Sequence, residues 1–414
     1  MPIKELYAGL FDGPHATPKP ADAGPVFLGI KNVTDDGRLD LSDIRHIAED
    51  DYANWTRRVE PVPGDIVFTY EATLNRYAII PEGFRGCLGR RMALIRPDPA
   101  KMDTRFLHFY FFTDAWRQVI STNTLSGATV DRIPLTNFPD FPVNVPPLPI
   151  QRRIATILSA YDDLIENNLR RIKILEEMAS ALYREWFVEF KAPGVAAAKE
   201  DSVLGPIPRG WAVKTLGAAC TAILDGDWIE TKDQGGGDFR LLQISNVGVG
   251  EFVETGNLRF VSKGTFARLR CTEVVPGDIL IARMPRPIGR AWLVHRLPWR
   301  IITAVDVAIL RANPEVLDQD FCINMLNQDA TLERFAKQAS GTTRLRITRR
   351  DISGFEIIVP PVALQKRFAA LTKTNYDLSV CLRTEIENLS RTRDLLLPRL
   401  LSGEVLVAEA ALTA

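Results

Sequence analysis

Hydrophobic residues along this chain change period twice, and they do so in the same order in each half. In residues 26–33, 65–70 and 91–95, short apolar stretches stand between Gly and Pro punctuation, the pattern of strands. Over residues 104–120 the spacing becomes helical, with Phe106, Phe109, Tyr110, Trp116 and Ile120 supplying the apolar positions. The second half repeats the plan: strands at 240–247, 278–283 and 304–310, then a helix at 318–339. Many short strands with a single late helix predict a compact α+β domain, twice over.

Each domain ends at a proline pair, Pro146-Pro147 and Pro360-Pro361, and a long helical pattern follows it. The first helix is predicted over 150–187, where Ile154, Ile157, Tyr161, Leu164, Asn168, Ile172, Leu175, Ala179, Leu182 and Trp186 recur at steps of three or four. The second, over 364–400, is noisier: Phe368, Leu371, Asn375, Leu378, Leu382, Glu385, Leu389, Arg393, Leu396 and Leu400. Each would be roughly 55 Å long at the α-helical rise. Neither is stable with such a stripe exposed, so the two are expected to pair antiparallel. Asn168 and Asn375 fall on the seam, either as buried amides that fix register or at an edge facing water. Residues 192–210, rich in Ala, Gly and Pro, read as a linker.

Separate landmarks of the two halves fall into register when the chain is shifted by about 214 positions, with a one-residue slip at the second motif below. Leu28, Ile30, Asn32 and Val33 then meet Leu242, Ile244, Asn246 and Val247. Val62-Pro63-Gly64-Asp65-Ile66 meets Val275-Pro276-Gly277-Asp278-Ile279, and Gln151 and Arg153 meet Gln365 and Arg367. A repeat this long is a whole domain. Two similar domains, each with a long helix, suit a target of approximate two-fold symmetry such as duplex DNA.

Charge alone argues weakly for that target, because 51 basic residues face 51 acidic ones. Their distribution argues more strongly. Between Arg268 and Arg311 every basic side chain is arginine, opposed only by Glu273, Asp278 and Asp306. Residues 334–350 hold Arg334, Lys337, Arg344, Arg346, Arg349 and Arg350 with no acid. Arginine's planar fork suits phosphates and guanine edges. The loop Ser340-Gly341-Thr342-Thr343-Arg344-Leu345-Arg346 and its counterpart Ser126-Gly127-Ala128-Thr129-Val130-Asp131-Arg132 join flexible backbone, hydroxyls and charge, as do the turns Asp12-Gly13 and Asp225-Gly226. The candidate DNA contacts are therefore Lys31, Asn32, Arg76, Arg91, Thr129 and Arg132 in the first domain. In the second they are Gln243, Ser245, Asn246, Arg283, Arg286, Thr342, Thr343, Arg344 and Arg346. Ordinary surface loops are the alternative.

Catalytic parts are missing from the sequence. There is no Gly-rich loop ending in Gly-Lys-Ser/Thr, no Gly-x-Ser-x-Gly elbow and no Asn/Asp-Pro-Pro-aromatic peptide. Asp162-Asp163 point about 100° apart on a helix and read as a solvated face. His15, His46, His108 and His295 are neither paired nor near a cysteine at ligand spacing, so no metal site is expected. The five scattered cysteines read as reduced thiols in a cytoplasm. No apolar run reaches the roughly 20 residues of a membrane span, and the N-terminus shows no secretory pattern.

The segment Leu148-Pro149-Ile150-Gln151-Arg152-Arg153-Ile154-Ala155-Thr156-Ile157-Leu158, continued by Tyr161-Asp162-Asp163-Leu164-Ile165-Glu166-Asn167-Asn168, closely resembles the central region of specificity subunits of type I restriction-modification systems. So do Ala181-Leu182-Tyr183-Arg184-Glu185-Trp186-Phe187, Leu204-Gly205-Pro206-Ile207-Pro208-Arg209-Gly210-Trp211 and Leu395-Leu396-Leu397-Pro398-Arg399-Leu400. The resemblance implies an α+β fold with a pseudo-two-fold internal repeat. Two target-recognition domains (1–147 and 211–361) would be separated by two long antiparallel coiled-coil helices (148–191 and 362–403), with a linker at 192–210 and a tail at 404–414. Each domain would read one half of a split double-stranded DNA sequence. The helices would act as spacer and as dock for two methyltransferase (modification) subunits, with motor/nuclease restriction subunits joining them. AdoMet and ATP chemistry would belong to those partners, leaving this chain non-catalytic and free of cofactors. Family members commonly open with a peptide like Ile207–Trp211, which is absent before Met1. The first domain is expected either to take a strand from 404–414 or to have its true start elsewhere. A DNA-free coiled-coil scaffold and a stand-alone enzyme are the competing readings.

Overall fold

The computed structural model describes residues 1–126, 130–195, 198–254, 256, 258–341, 344–401 and 404–405. They form two compact units, the first made of residues 1–168 with the described residues from Thr384 onward, the second of Leu169–Arg383. Among the described residues no helix is long and apolar enough to cross a membrane. Among the described residues no group of His, Cys, Asp or Glu is arranged to hold a metal, and all five cysteines are free.

The repeat is topological as well as sequential. In the first unit a four-stranded antiparallel sheet has the order Tyr7–Asp12, Met92–Pro97, Ile66–Thr69, Tyr77–Ile79. In the second unit Cys220–Asp225, Val307–Ala312, Ile279–Ala282 and Ala291–Leu293 take the same places. Even the register shift in the first strand recurs, between Tyr7 and Gly9 and between Cys220 and Ala222. Each unit adds a three-stranded sheet with one parallel pair, Ala21–Leu28 with Gly86–Leu88 and Phe239–Leu242 with Arg300–Thr303.

The landmarks shared by both halves turn out to be backbone locks. Asp65 and Asp278 are buried, accept the Val62 and Val275 N–H at 2.9 and 3.0 Å, and are gripped by Arg96 (2.8 Å) and Arg311 (2.9 Å). The glycine before each, Gly64 and Gly277, has φ of +87° and +96°, a left-handed backbone that any Cβ would strain. Gln151 accepts the Asp103 N–H at 3.0 Å and donates to Pro146 O at 2.9 Å; Gln365 does the same with Asp318 (2.8 Å) and Pro360 (2.7 Å). These amides tie the first turn of each long helix to the domain it follows.

Three expectations are corrected. The single late helix is a pair in each unit, Thr104–Tyr110 with Asp114–Asn123, and Gln319–Leu326 with Asp329–Gln338. Thr113 causes the first break: its hydroxyl donates to Tyr110 O (2.7 Å) and accepts the Trp116 N–H (3.2 Å), ending one helix and capping the next. The predicted strands 26–33 and 240–247 stop early, at Leu28 and Leu242, and turn through Ile30–Asn32 and Ile244–Asn246. The linker 192–210 is no free tether in its described part. Lys199–Glu200 pairs with Ile207–Pro208, and Ala192 and Ile207 are buried in the second unit's core with Trp186 and Trp211.

The long helices run Leu148–Tyr183, ending in a π-helical turn Arg184–Val188, and Val362–Leu401. Within the second unit they lie antiparallel, since Phe368 meets Tyr183 and Trp186 while Arg383 reaches back to Glu176 at 2.7 Å. Within the first unit Arg393 pairs with Asp162, and Leu397 and Leu400 share a core with Ile154 and Leu158. Leu164, Leu371 and Leu378 do not lie on the buried face; they are 51%, 53% and 37% exposed. Ile165, Thr372 and Ser379 are buried there instead. Thr372 and Ser379 satisfy their hydroxyls on Phe368 O and Asn375 O, four residues back, so a polar side chain can occupy the seam at little cost. Asn168 is buried, and Asn375 is half-buried.

Candidate nucleic-acid interface

At one end of each four-stranded sheet the same loops converge. The first strand leaves through Asp12-Gly13 or Asp225-Gly226, and the glycine is required because its Cβ would stand 2.5 Å from Gly89 O or 2.1 Å from Ala304 O. Asp12 accepts the Tyr70 hydroxyl at 3.0 Å and bonds His15 at 2.9 Å. Asp225, at the equivalent place, is bonded by Arg283 at 2.9 Å and Arg349 at 3.4 Å. Tyr70 and Arg283 each follow the third strand of their sheet, and each backbone carbonyl accepts the next chain segment, from Ile133 N–H (2.8 Å) or Ile347 N–H (3.2 Å). That holds the loops ending in Arg132 and Arg346 beside the turn. Both are closed as narrow ladders, Leu125 with Arg132 and Ser340 with Arg346.

Electrostatics differ between the two units at these matched positions. Burial, then Asp12, pushes the Tyr70 phenol up, keeping it a neutral donor at ordinary pH. Burial also pushes the Arg283 guanidinium down, helped by the nearby Arg346 charge and opposed by Asp225. Arg91, in left-handed backbone (φ +71°), pairs with Glu71 at 3.0 Å, while Arg346 pairs with Asp306 at 3.3 Å.

Placed in this geometry, the sequence candidates separate into two groups. Asn32 and Asn246 are buried and structural. Each carboxamide accepts the N–H of the residue three back, Gly29 (2.9 Å) or Gln243 (2.8 Å), and donates onward to Asp40 O (2.9 Å) or Val253 O (2.8 Å). Burial withdraws both carboxamides from DNA. Arg283 is also a strut, 7% exposed and bonded to Ile347 O and Val305 O as well as Asp225. Arg76 is held by Asp35 at 2.6 Å and Val33 O at 3.3 Å. Its repeat partner Arg290, which sequence reasoning missed, is buried on five backbone carbonyls, among them Val247 O (2.7 Å), Pro285 O (2.8 Å) and Ile244 O (3.1 Å). The position of Arg290 under the repeat was the available signal.

The second group faces outward. Lys31 is exposed with Asp43 beside it; Arg132, Ser245, Arg286 and Arg344 are exposed, and Gln243 is half-buried. Arg344 has no bonding partner among the described residues. Arg349, not among the candidates, joins this surface through Asp225. Thr129, Thr342 and Thr343 lie outside the described residues. Asp162, half of the acid pair on the first long helix, is paired with Arg393.

Comparison with known proteins converges on one family. The family described as "Type I restriction modification DNA specificity domain" matches residues 56–177. The MjaIX specificity subunit of a type I restriction enzyme from Methanocaldococcus jannaschii is 23% identical over 381 residues, covering 88% of this chain and 83% of the relative. The HindI specificity subunit of Haemophilus influenzae is 22% identical over 342 residues, covering 67% and 72%. The crystal structure of a type I restriction-modification S subunit from M. genitalium superposes with a TM-score of 0.53 at 16% identity, covering 97% of this chain and 95% of that one, a likeness of fold. With a repeated mixed α/β domain, a long helix after each repeat and relatives that match across most of its length, the chain is similar to the specificity subunits of type I restriction-modification systems.

Proposed function

We propose that this chain is the DNA sequence-recognition subunit of a type I restriction-modification complex. Each unit reads one half of a bipartite duplex target, and the chain docks two methyltransferase subunits and the motor/nuclease subunits. The observation that carries this reading is the loop cluster repeated on one topology with different chemistry at equivalent positions, Tyr70 against Arg283 and Lys31 against Ser245. Two scaffolds alike in fold and unlike in their outward side chains are what a reader of two different half-sequences needs. The long helices serve as spacer and dock. The chain itself is non-catalytic, and methyl transfer and ATP-driven cleavage belong to its partners.

The test uses the purified full chain, alone and with its methyltransferase subunits. Alone, it binds duplex DNA with an affinity that falls steeply as salt rises, because phosphate contacts release counterions. Alone, it transfers no methyl group from AdoMet; with the subunits it directs methylation to one split sequence. Methyl transfer by the chain alone, or methylation whose sequence is indifferent to this chain, would overturn the proposal. Assembly without any DNA binding would point to a scaffold.

A further inference from the structure

Trp228 is the one exposed tryptophan among the described residues, with 71% of its surface open. A large apolar ring normally contributes through burial, so leaving it in water forgoes a sizeable stabilisation. The exposure is not the result of a slack chain. Gly226 N–H donates to Val307 O at 2.9 Å, and Asp227 N–H to Thr303 O at 2.7 Å. The Asp227 carboxylate accepts the Thr272 N–H at 3.1 Å. The turn is tied to three segments and holds the indole outward.

The surroundings are those of the candidate interface. Three residues before the ring, Asp225 carries Arg283 and Arg349; five residues after it, Asp233 carries Arg268 at 2.5 Å. In the first unit the same turn bears His15, also exposed, with its ring bonded to Asp12 at 2.9 Å. At one structural position, then, one unit offers an imidazole and the other an indole with the Glu230 carboxylate beside it, and the arginines around each are paired to carboxylates.

We propose that Trp228 is an apolar base-contacting residue of the second unit, packing its indole against a base face or a thymine methyl in the half-sequence that unit reads. The inference rests on the DNA-reading function proposed above. Aromatic faces stack on bases, apolar side chains wedge into base steps, and the thymine methyl is the apolar mark of the major groove. Arg283, Arg349 and Arg268 are already tied to carboxylates, so the selectivity of this turn comes from the ring.

Methylated sites are sequenced in cells carrying the methyltransferase subunits with the wild-type chain, W228A or W228F. A duplex bearing the mapped site then measures affinity. W228A is expected to fold with unchanged thermal stability, to weaken binding to that duplex roughly ten- to a hundredfold, and to relax the motif in one half-sequence only. W228F retains most of the selectivity. Replacing the thymines of that half with deoxyuridine separates the two contacts: loss of wild-type affinity that W228A no longer shows assigns the methyl, and no loss assigns the base face. An unchanged motif and affinity for W228A, or relaxation in both halves alike, overturns the proposal. Failure of the wild-type chain to direct any motif would instead reject the function on which it rests.

Discussion

Replacing Arg283 with methionine tests whether burial correctly removes it from the DNA-contacting set. Methionine keeps much of the stem's volume and none of its five donors. Ile347 O at 2.9 Å and Val305 O at 3.1 Å lose their partner, as does Asp225 at 2.9 Å. Each carbonyl left buried costs about 1–3 kcal/mol. Asp225 keeps Arg349 and is partly open to water, so its loss adds little. Against this stands the desolvation of the native guanidinium, the same burial that pushes its pKa down, which offsets part of the loss. The net destabilisation is about 3 kcal/mol, and for a unit of this size that lowers the melting temperature by roughly 6–12 °C. Arg344→Ala is the contrasting arm: exposed and unpartnered among the described residues, it should leave melting unchanged and weaken duplex binding by about 1–3 kcal/mol. Scanning calorimetry and duplex titration on the same samples read both quantities. An Arg283→Met chain that melts like wild type but binds DNA poorly would refute the argument, and Arg283 would return to the reading surface.

Asn246→Ala should cost about 2 kcal/mol, because it removes both the acceptor for Gln243 N–H and the donor to Val253 O, whereas Ser245→Ala next to it should be neutral. Equal melting temperatures for the two variants would contradict the assignment. Asp227 gives a pH signature: burial raises its pKa from 3.8 to about 6, with the Thr272 backbone bond opposing. A raised carboxyl stabilises the fold fully below the unfolded value, and that contribution is lost as pH rises through about 6. The melting temperature of Asp227→Asn minus that of wild type should therefore increase between pH 4 and pH 7, and a flat difference would show that the group titrates normally.

What was legible in the sequence, and what was not, follows from how each residue is used. Asp65 and Asp278, Gln151 and Gln365, and Asn32 and Asn246 stand in register under the shift of the chain onto itself, and all six close backbone turns or tie a helix to its domain. Their pairing was visible. The use of Asn32 and Asn246 was not, because an amide beside a turn looks the same in sequence whether it binds the backbone or a base. The helical seam hid for a related reason: Thr372 and Ser379 count as polar in any hydrophobic pattern, yet each has its hydroxyl bonded within its own helix. Nothing in the sequence distinguishes Trp228 from a core tryptophan, and only the fixed turn reveals that it faces out.

Identity between the halves therefore carries a physical meaning here. A position that keeps its residue in both units is one whose task the shared backbone sets, and that task is the same wherever the target differs. A position that changes while its backbone stays in register, as Tyr70 and Arg283, Lys31 and Ser245, or His15 and Trp228 do, is free of that constraint. Some of these changes are absorbed inward: Tyr70 and Arg283 each give a donor to the turn aspartate. The changes that remain exposed, Lys31 against Ser245 and His15 against Trp228, have no such internal partner in common, so the two units can differ there without disturbing the fold. Under the proposed function, selectivity for two different half-sequences would belong at those exposed, unmatched positions, with the buried arginines beside them holding the surface in place.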